Sequence, residues 1–128
     1  MRLLLDTHTV LWAAMAPAFL SRKAARAISD PTNTILVSAA SAWEIATKVR
    51  IGKLPGAEAF EKEFIERTEL AGYTHLPLDV PSALRAGRLE GDHRDPFDRM
   101  IAAQALAEDI PIISKDPKLD SFGIRRMW

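Results

Sequence analysis

Along the chain, short continuous apolar runs alternate with longer stretches in which apolar and polar positions recur at helical spacing. Leu3-Leu4-Leu5, Ile35-Leu36-Val37 and Ile110-Pro111-Ile112-Ile113 contain no polar residue. An alternating run would leave one face to water, whereas a continuous one suits a strand buried on both faces. Residues 74–77 and 123–126 are weaker strand candidates. Between them, 7–14, 21–29, 41–51, 57–71, 81–88 and 97–108 read as helices, punctuated by Pro31, Pro55, Gly56, Gly72, Pro77, Gly91 and Pro117. Strands alternating with helices predict an α/β fold of three layers, α/β/α, around a central, mostly parallel sheet of about four or five strands. Alanines at 102, 103, 105 and 107 let the last long helix lie close to that sheet. With no repeat, low-complexity segment or linker, residues 1–128 read as a single domain.

Composition narrows the functional classes. The 128 residues are 48% hydrophobic and 27% charged, which is ordinary globular usage. Lys plus Arg and Asp plus Glu are 17 each, so affinity for nucleic acid has to come from local basic patches. There is no cysteine, which excludes disulfides and thiolate metal sites. The apolar N-terminal run is interrupted by Asp6, a poor signal peptide, and no stretch approaches the ~20 apolar residues of a membrane span. The expectation is a cytoplasmic protein without membrane segments.

In a parallel sheet, each helix that follows a strand begins at the carboxyl edge, where open α/β folds bind ligands. The notable acids sit at such beginnings, and each has a local explanation. Asp6 fits an N-cap. Ser41-Ala-Trp-Glu44 fits a capping box, and so does Asp95-Pro96-Phe97-Asp98, with proline at the first helical position. Asp116-Pro117 also reads as a cap. Four carboxylates at one sheet edge are another matter. At ~5 Å and an effective dielectric of ~20, each pair costs about 3 kcal/mol, and a divalent cation removes that cost. Carboxylate oxygens are the hard ligands that Mg²⁺ and Mn²⁺ prefer.

An acid in LLLDTHTVLWA, a glutamate in VSAASAWEIATKVRIGKL and the segment HRDPFDRMIAAQALAEDIPIISKD together resemble the PIN domain, in particular the VapC-type toxins of bacterial type II toxin–antitoxin pairs. The likeness runs essentially from end to end. It implies a PIN-like domain over 1–128 and a Mg²⁺- or Mn²⁺-dependent endoribonuclease that hydrolyses RNA phosphodiester bonds with metal-activated water. Asp6, Glu44, Asp98 and Asp116 become the catalytic quartet, with Asp6 and Asp98 as principal ligands and Glu44 and Asp116 completing the pocket or acting through water. Ser114 falls at the small hydroxyl position beside the last acid, and Asp95 is a cap or supporting residue. The resemblance also implies a cognate antitoxin and a homodimer.

Cations around the acids are candidates for phosphate contact. Arg99 and Lys115 adjoin them, Lys48, Arg50 and Lys53 follow Glu44, and Arg94 lies just ahead of Asp95; the bland reading of each is a solvated helix face. His8 and His93 are candidates for a ligand or base, against a reading as polar surface. Trp12 and Trp43 read as core, with an apolar groove for an amphipathic partner as the alternative. A haloacid-dehalogenase-like phosphotransferase wants an aspartate where His8 stands. A receiver domain wants paired acids at the first strand, and the strand ending at Ser38 lacks its aspartate. The stronger rival is a non-catalytic RNA-binding or scaffold module on the same fold.

Overall fold

The computed structural model describes residues 1–128. Five strands, β1 (Arg2–Leu5), β2 (Thr34–Ser38), β3 (Thr74–Leu76), β4 (Ile112–Ile113) and β5 (Arg126–Met127), form one sheet in the order β3-β2-β1-β4-β5. Every pairing is parallel, with Leu4 opposite Leu36 on one side and Ile112 on the other. Seven α-helices, α1 (Thr7–Met15), α2 (Arg22–Ser29), α3 (Ala39–Arg50), α4 (Glu58–Lys62), α5 (Phe64–Leu70), α6 (Val80–Arg88) and α7 (Pro96–Glu108), complete it with 3₁₀ turns at Pro17–Phe19 and Pro117–Phe122.

The continuous apolar runs work as expected because successive side chains leave opposite faces of a strand. Leu3, Leu5, Ile35, Val37 and Ile113 point into one core with Val10, Ala24, Ile45 and Phe60. Leu4, Leu36 and Ile112 point into a second core with Ile101, Ala102, Ala105 and Phe122. Two cores on one sheet make three layers. Burial of Ala102, Ala103 and Ala105 brings α7 close to the strands.

Several boundaries depart from the sequence expectation. The strand expected over 110–113 keeps only Ile112–Ile113, because Pro111 has no N–H for the ladder; its carbonyl still accepts from Leu4 N at 3.0 Å. The last strand lies at 126–127 rather than 123–126, after Gly123 turns the chain at φ +77°. The helix expected over 57–71 is two helices broken at Glu63. The break lets Phe60 and Phe64 meet edge to face at 5.6 Å, both against the first core.

The largest correction concerns α3. Ser38, the last residue of β2, is its N-cap and accepts from Ala40 N at 2.9 Å. Ser41 lies inside the helix, its hydroxyl 3.0 Å from that of Thr7. Glu44 therefore caps nothing, and its burial in the second turn of the helix needs another explanation. Trp43 is not core either: it is 58% exposed and meets Phe97 edge to face at 4.8 Å.

Candidate active site

The chain leaves β1 toward β2 on one side of the sheet, while β4 lies on the other, so the carboxyl ends of β1 and β4 flank a topological switch point. Such points are where open α/β sheets take ligands. Asp6 follows β1 and Ser114 follows β4, placed side by side by the Leu5–Ile113 register.

Asp6 caps α1, as its position implied. Its Oδ1 accepts from Thr9 N and from Thr9 Oγ1, each at 2.8 Å, and its Oδ2 accepts from Ser114 Oγ. The same Ser114 oxygen accepts from Asp116 N at 3.0 Å, so one buried hydroxyl couples Asp6 to Asp116. Asp116 in turn caps the 3₁₀ turn at Pro117–Phe122 through Lys118 N. Thr9, whose β-branched side chain also reaches the carbonyl of Ile113 at 2.9 Å, was missed from the sequence; only its place three residues after a capping acid could have signalled it.

Asp95 caps α7, accepting from Phe97 N at 2.9 Å and Asp98 N at 3.0 Å. That frees Asp98, in the first turn, to face the pocket. Its Oδ2 lies 2.6 Å from His93 Nε2. Burial pushes the Asp98 carboxyl up to about 6; the His93 hydrogen bond opposes the rise, and the nearby charges of Asp95 and Glu44 add to it. Ligand atoms of His93, Asp98 and Asp116 all lie within 4.8 Å of one another.

Glu44 is 3% exposed. One carboxylate oxygen, Oε2, pairs with Lys48 one turn on, while Oε1 is buried without a hydrogen-bond partner. An unpaired carboxylate oxygen in the interior is costly, and a cation removes that cost. The donor chemistry, the Asp98 and Asp116 carboxylates with the His93 imidazole and the orphaned oxygen of Glu44 as a further carboxylate donor, therefore fits a divalent ion.

Of the four acids expected from the sequence, Asp6 and Asp116 are linked through Ser114 and Asp116 lies close to Asp98, while Glu44 is buried outside that cluster and is near enough for its charge to act on Asp98. The cations fare differently. Lys115 is exposed and lines a depression with Asp6, His8, Trp12 and Asp116. Lys48 is spent on Glu44. Arg99 donates to the carbonyls of Ala86 at 3.0 Å, His93 at 3.1 Å and Leu89, and its guanidinium lies 5.4 Å from the centre of the Phe122 ring. Those bonds tie α6 and the following loop to α7, a structural task that leaves Arg99 a poor phosphate contact. His8 is exposed and packs 5.7 Å from Trp12, which also meets Phe19 and Trp128. Larger depressions lie elsewhere, along α6 and between α1 and α5, so the acids rather than cavity size locate the site.

An all-parallel, helix-covered sheet with carboxylates gathered at its switch point defines an α/β protein built around an acidic pocket. The model of the PIN domain matches residues 3–124, and the chain belongs to the PIN domain family. Ribonuclease VapC16 from Mycobacterium tuberculosis is 44% identical over 52 residues, which span 41% of this chain and 37% of that protein. The fold is similar to that in the structure of VapBC2 from Rickettsia felis bound to a DNA fragment from their promoter, with a TM-score of 0.73 at 15% identity over 99% of this chain and 98% of the other. It is similar also to that in the structure of VapBC-1 from nontypeable Haemophilus influenzae, with a TM-score of 0.66 at 18% identity, covering 99% and 97%.

Proposed function

We propose that the protein is a VapC-like toxin, a divalent-metal-dependent endoribonuclease that hydrolyses RNA phosphodiester bonds and is held in check by a cognate antitoxin. The observation that carries the proposal is the pairing of Glu44 Oε1, buried and unpartnered, with an acid cluster at the carboxyl edge. A capping role leaves that oxygen unexplained. Family membership and the partial likeness to a VapC ribonuclease support the choice of RNA as substrate.

In this reading Asp6, Asp98 and Asp116 hold Mg²⁺ or Mn²⁺, with Glu44 completing the pocket directly or through water. A cation bound there supplies Lewis acidity at the phosphodiester and water of lowered pKa. Thr9 and Ser114 orient Asp6, and Ser114 and Asp95 fix the backbone from which Asp116 and Asp98 project. Lys48 balances one oxygen of Glu44 and leaves the other unpaired. Lys115 and Arg94, both exposed, are placed to meet phosphates without reading sequence.

The solved structures similar to this fold include VapBC assemblies, which supports an antitoxin partner here. An apolar groove between α1 and α5, lined by Val10, Ala13, Phe60, Leu70 and Tyr73, is suited to an amphipathic segment. Exposed Val80 and Leu84 on α6 are compatible with a homodimer, and the proposed activity is a cytoplasmic one. No helix is long and apolar enough to cross a membrane.

Purified protein is expected to cleave RNA with Mg²⁺ or Mn²⁺ and not in EDTA. Asp6→Asn and Asp98→Asn should each remove cleavage while circular dichroism shows an intact fold. Cleavage that survives both substitutions refutes the site. RNA binding without cleavage at every divalent ion tested points to the non-catalytic module.

A further inference from the structure

His93 lies in the loop between α6 and α7, and that loop is anchored on three sides. Gly91 sits at φ +135°, and a Cβ built on it would come within 3.2 Å of Phe122 Cε1 and of Ser121 Oγ. Only glycine lets the loop lie this close to the 3₁₀ turn at 117–122. Arg99 grips the carbonyls of Leu89 and His93 from α7, and the His93 and Phe122 rings are 6.0 Å apart. The imidazole is thereby delivered with Nε2 facing Asp98 Oδ2, and it is 16% exposed. A histidine serving as polar surface needs no such framing.

Two independent observations mark the spot as one for a cation. The ligand atoms of His93, Asp98 and Asp116 lie within 4.8 Å of one another. Glu44, almost fully buried, keeps one oxygen unpaired, and its charge is near enough to Asp98 to push that carboxyl upward. Octahedral donors about 2.1 Å from an ion lie about 3 Å apart when adjacent and about 4.2 Å when opposed. The set therefore reaches ligating geometry by rotamer adjustment, with the His93–Asp98 hydrogen bond giving way.

We infer that His93 is itself a ligand of the divalent cation, adding a nitrogen donor beside Asp98 and Asp116 and tilting the site from Mg²⁺ toward Mn²⁺ and Co²⁺. This rests on the reading of the acids as a metal site. Imidazole bonds more favourably to first-row transition ions, whereas Mg²⁺ prefers oxygen and gives up its water reluctantly. Arg99, Gly91 and Phe122 then act as positioning residues for the imidazole, which accounts for an arginine spent on backbone carbonyls.

The test is isothermal titration of the full chain with Mn²⁺ and with Mg²⁺, comparing wild type, His93→Gln and Asp98→Asn, each checked by thermal melting in EDTA. His93→Gln is expected to weaken Mn²⁺ by about tenfold or more and Mg²⁺ much less, so that the ratio of the two affinities falls. Pulsed electron paramagnetic resonance of Mn²⁺-loaded wild type, which needs no variant, is expected to show nitrogen hyperfine coupling that His93→Gln removes. Equal weakening of both ions, or no nitrogen coupling, overturns the inference and leaves His93 as a hydrogen-bond partner of Asp98. If wild type binds neither ion, the metal reading fails and takes this inference with it. If wild type binds both, Asp98→Asn abolishes binding and His93→Gln leaves the ratio unchanged, only the role of His93 is lost.

Discussion

Asp98→Asn should make the metal-free protein more stable, although it removes a residue placed at the centre of the site. The Asp98 carboxyl is pushed up to about 6 by burial, with Asp95 and Glu44 adding to the effect. Against an ordinary value of about 3.9, that rise corresponds to about 3 kcal/mol of native-state penalty on the ionised form. The side chain is 22% exposed, so water screens part of this, leaving about 1–2 kcal/mol. Because the folded value lies above the unfolded one, the native state binds more protons between the two. The favourable contribution is complete below about pH 4 and is lost as pH rises through about 6. Asparagine carries no charge to bury and can keep a hydrogen bond to His93. In EDTA at pH 8 the variant should melt about 3–10 °C above wild type, at about 3–5 °C per kcal/mol for a chain of this size. At pH 4.5 the gap should close, since wild-type Asp98 is then protonated. Scanning calorimetry at both pH values checks this. A variant that melts at or below wild type at pH 8 refutes the claim that buried charge, rather than a structural hydrogen bond, dominates at Asp98.

Four further outcomes follow from the same geometry. Saturating Mg²⁺ should raise the melting point of wild type but not of Asp98→Asn, by differential scanning fluorimetry, because bound ligand stabilises only a state that binds it. Ser114→Ala deletes the donor to Asp6 and the acceptor for Asp116 N, and should cost about 1–3 kcal/mol in urea unfolding. Gly91→Ala places a Cβ against Phe122 and Ser121 at positive φ, and should cost about 1–3 kcal/mol by the same measurement. Trp43→Ala, at a position 58% exposed, should cost less than burial of a tryptophan implies, about 1 kcal/mol or less; a larger loss means that the Phe97 contact holds α3 to α7.

The antagonism in the first of these predictions has a structural origin. Carboxylates gathered for an ion repel one another without it, and the fold tolerates this because each acid is tied down locally. Asp6 is held by Thr9 and Ser114, Asp116 by Ser114 and Asp98 by His93. Capping and ligand binding are compatible here because a carboxylate has two oxygens. Asp116 uses Oδ1 to cap its turn, and Asp98, relieved of capping by Asp95, offers the pocket a whole carboxylate apart from its bond to His93.

Much of the architecture was legible in the sequence because it depends on short-range rules. Continuous apolar runs need two covered faces, and both cores of this sheet are built from them. Caps act over three residues, so Asp6, Asp95 and Asp116 could be placed at helix starts from their neighbours alone. The resemblance to PIN domains then named the four acids, and strand order explains how residues 6, 44, 98 and 116 come to one edge. What local pattern could not decide was anything set by partners distant in the chain. Ser38 rather than Ser41 starts α3 because β2 runs directly into it, and the helix over 57–71 breaks because two phenylalanines must face one core. Lys48 and Arg99 are taken up by Glu44 and by carbonyls of α6 and its loop, and Trp43 stays outside because α7 offers it an edge rather than a pocket. His93 reaches Asp98 only because Gly91 admits a close approach to Phe122. Strand pairing and loop closure create those encounters, and neither has a signature within one turn of chain.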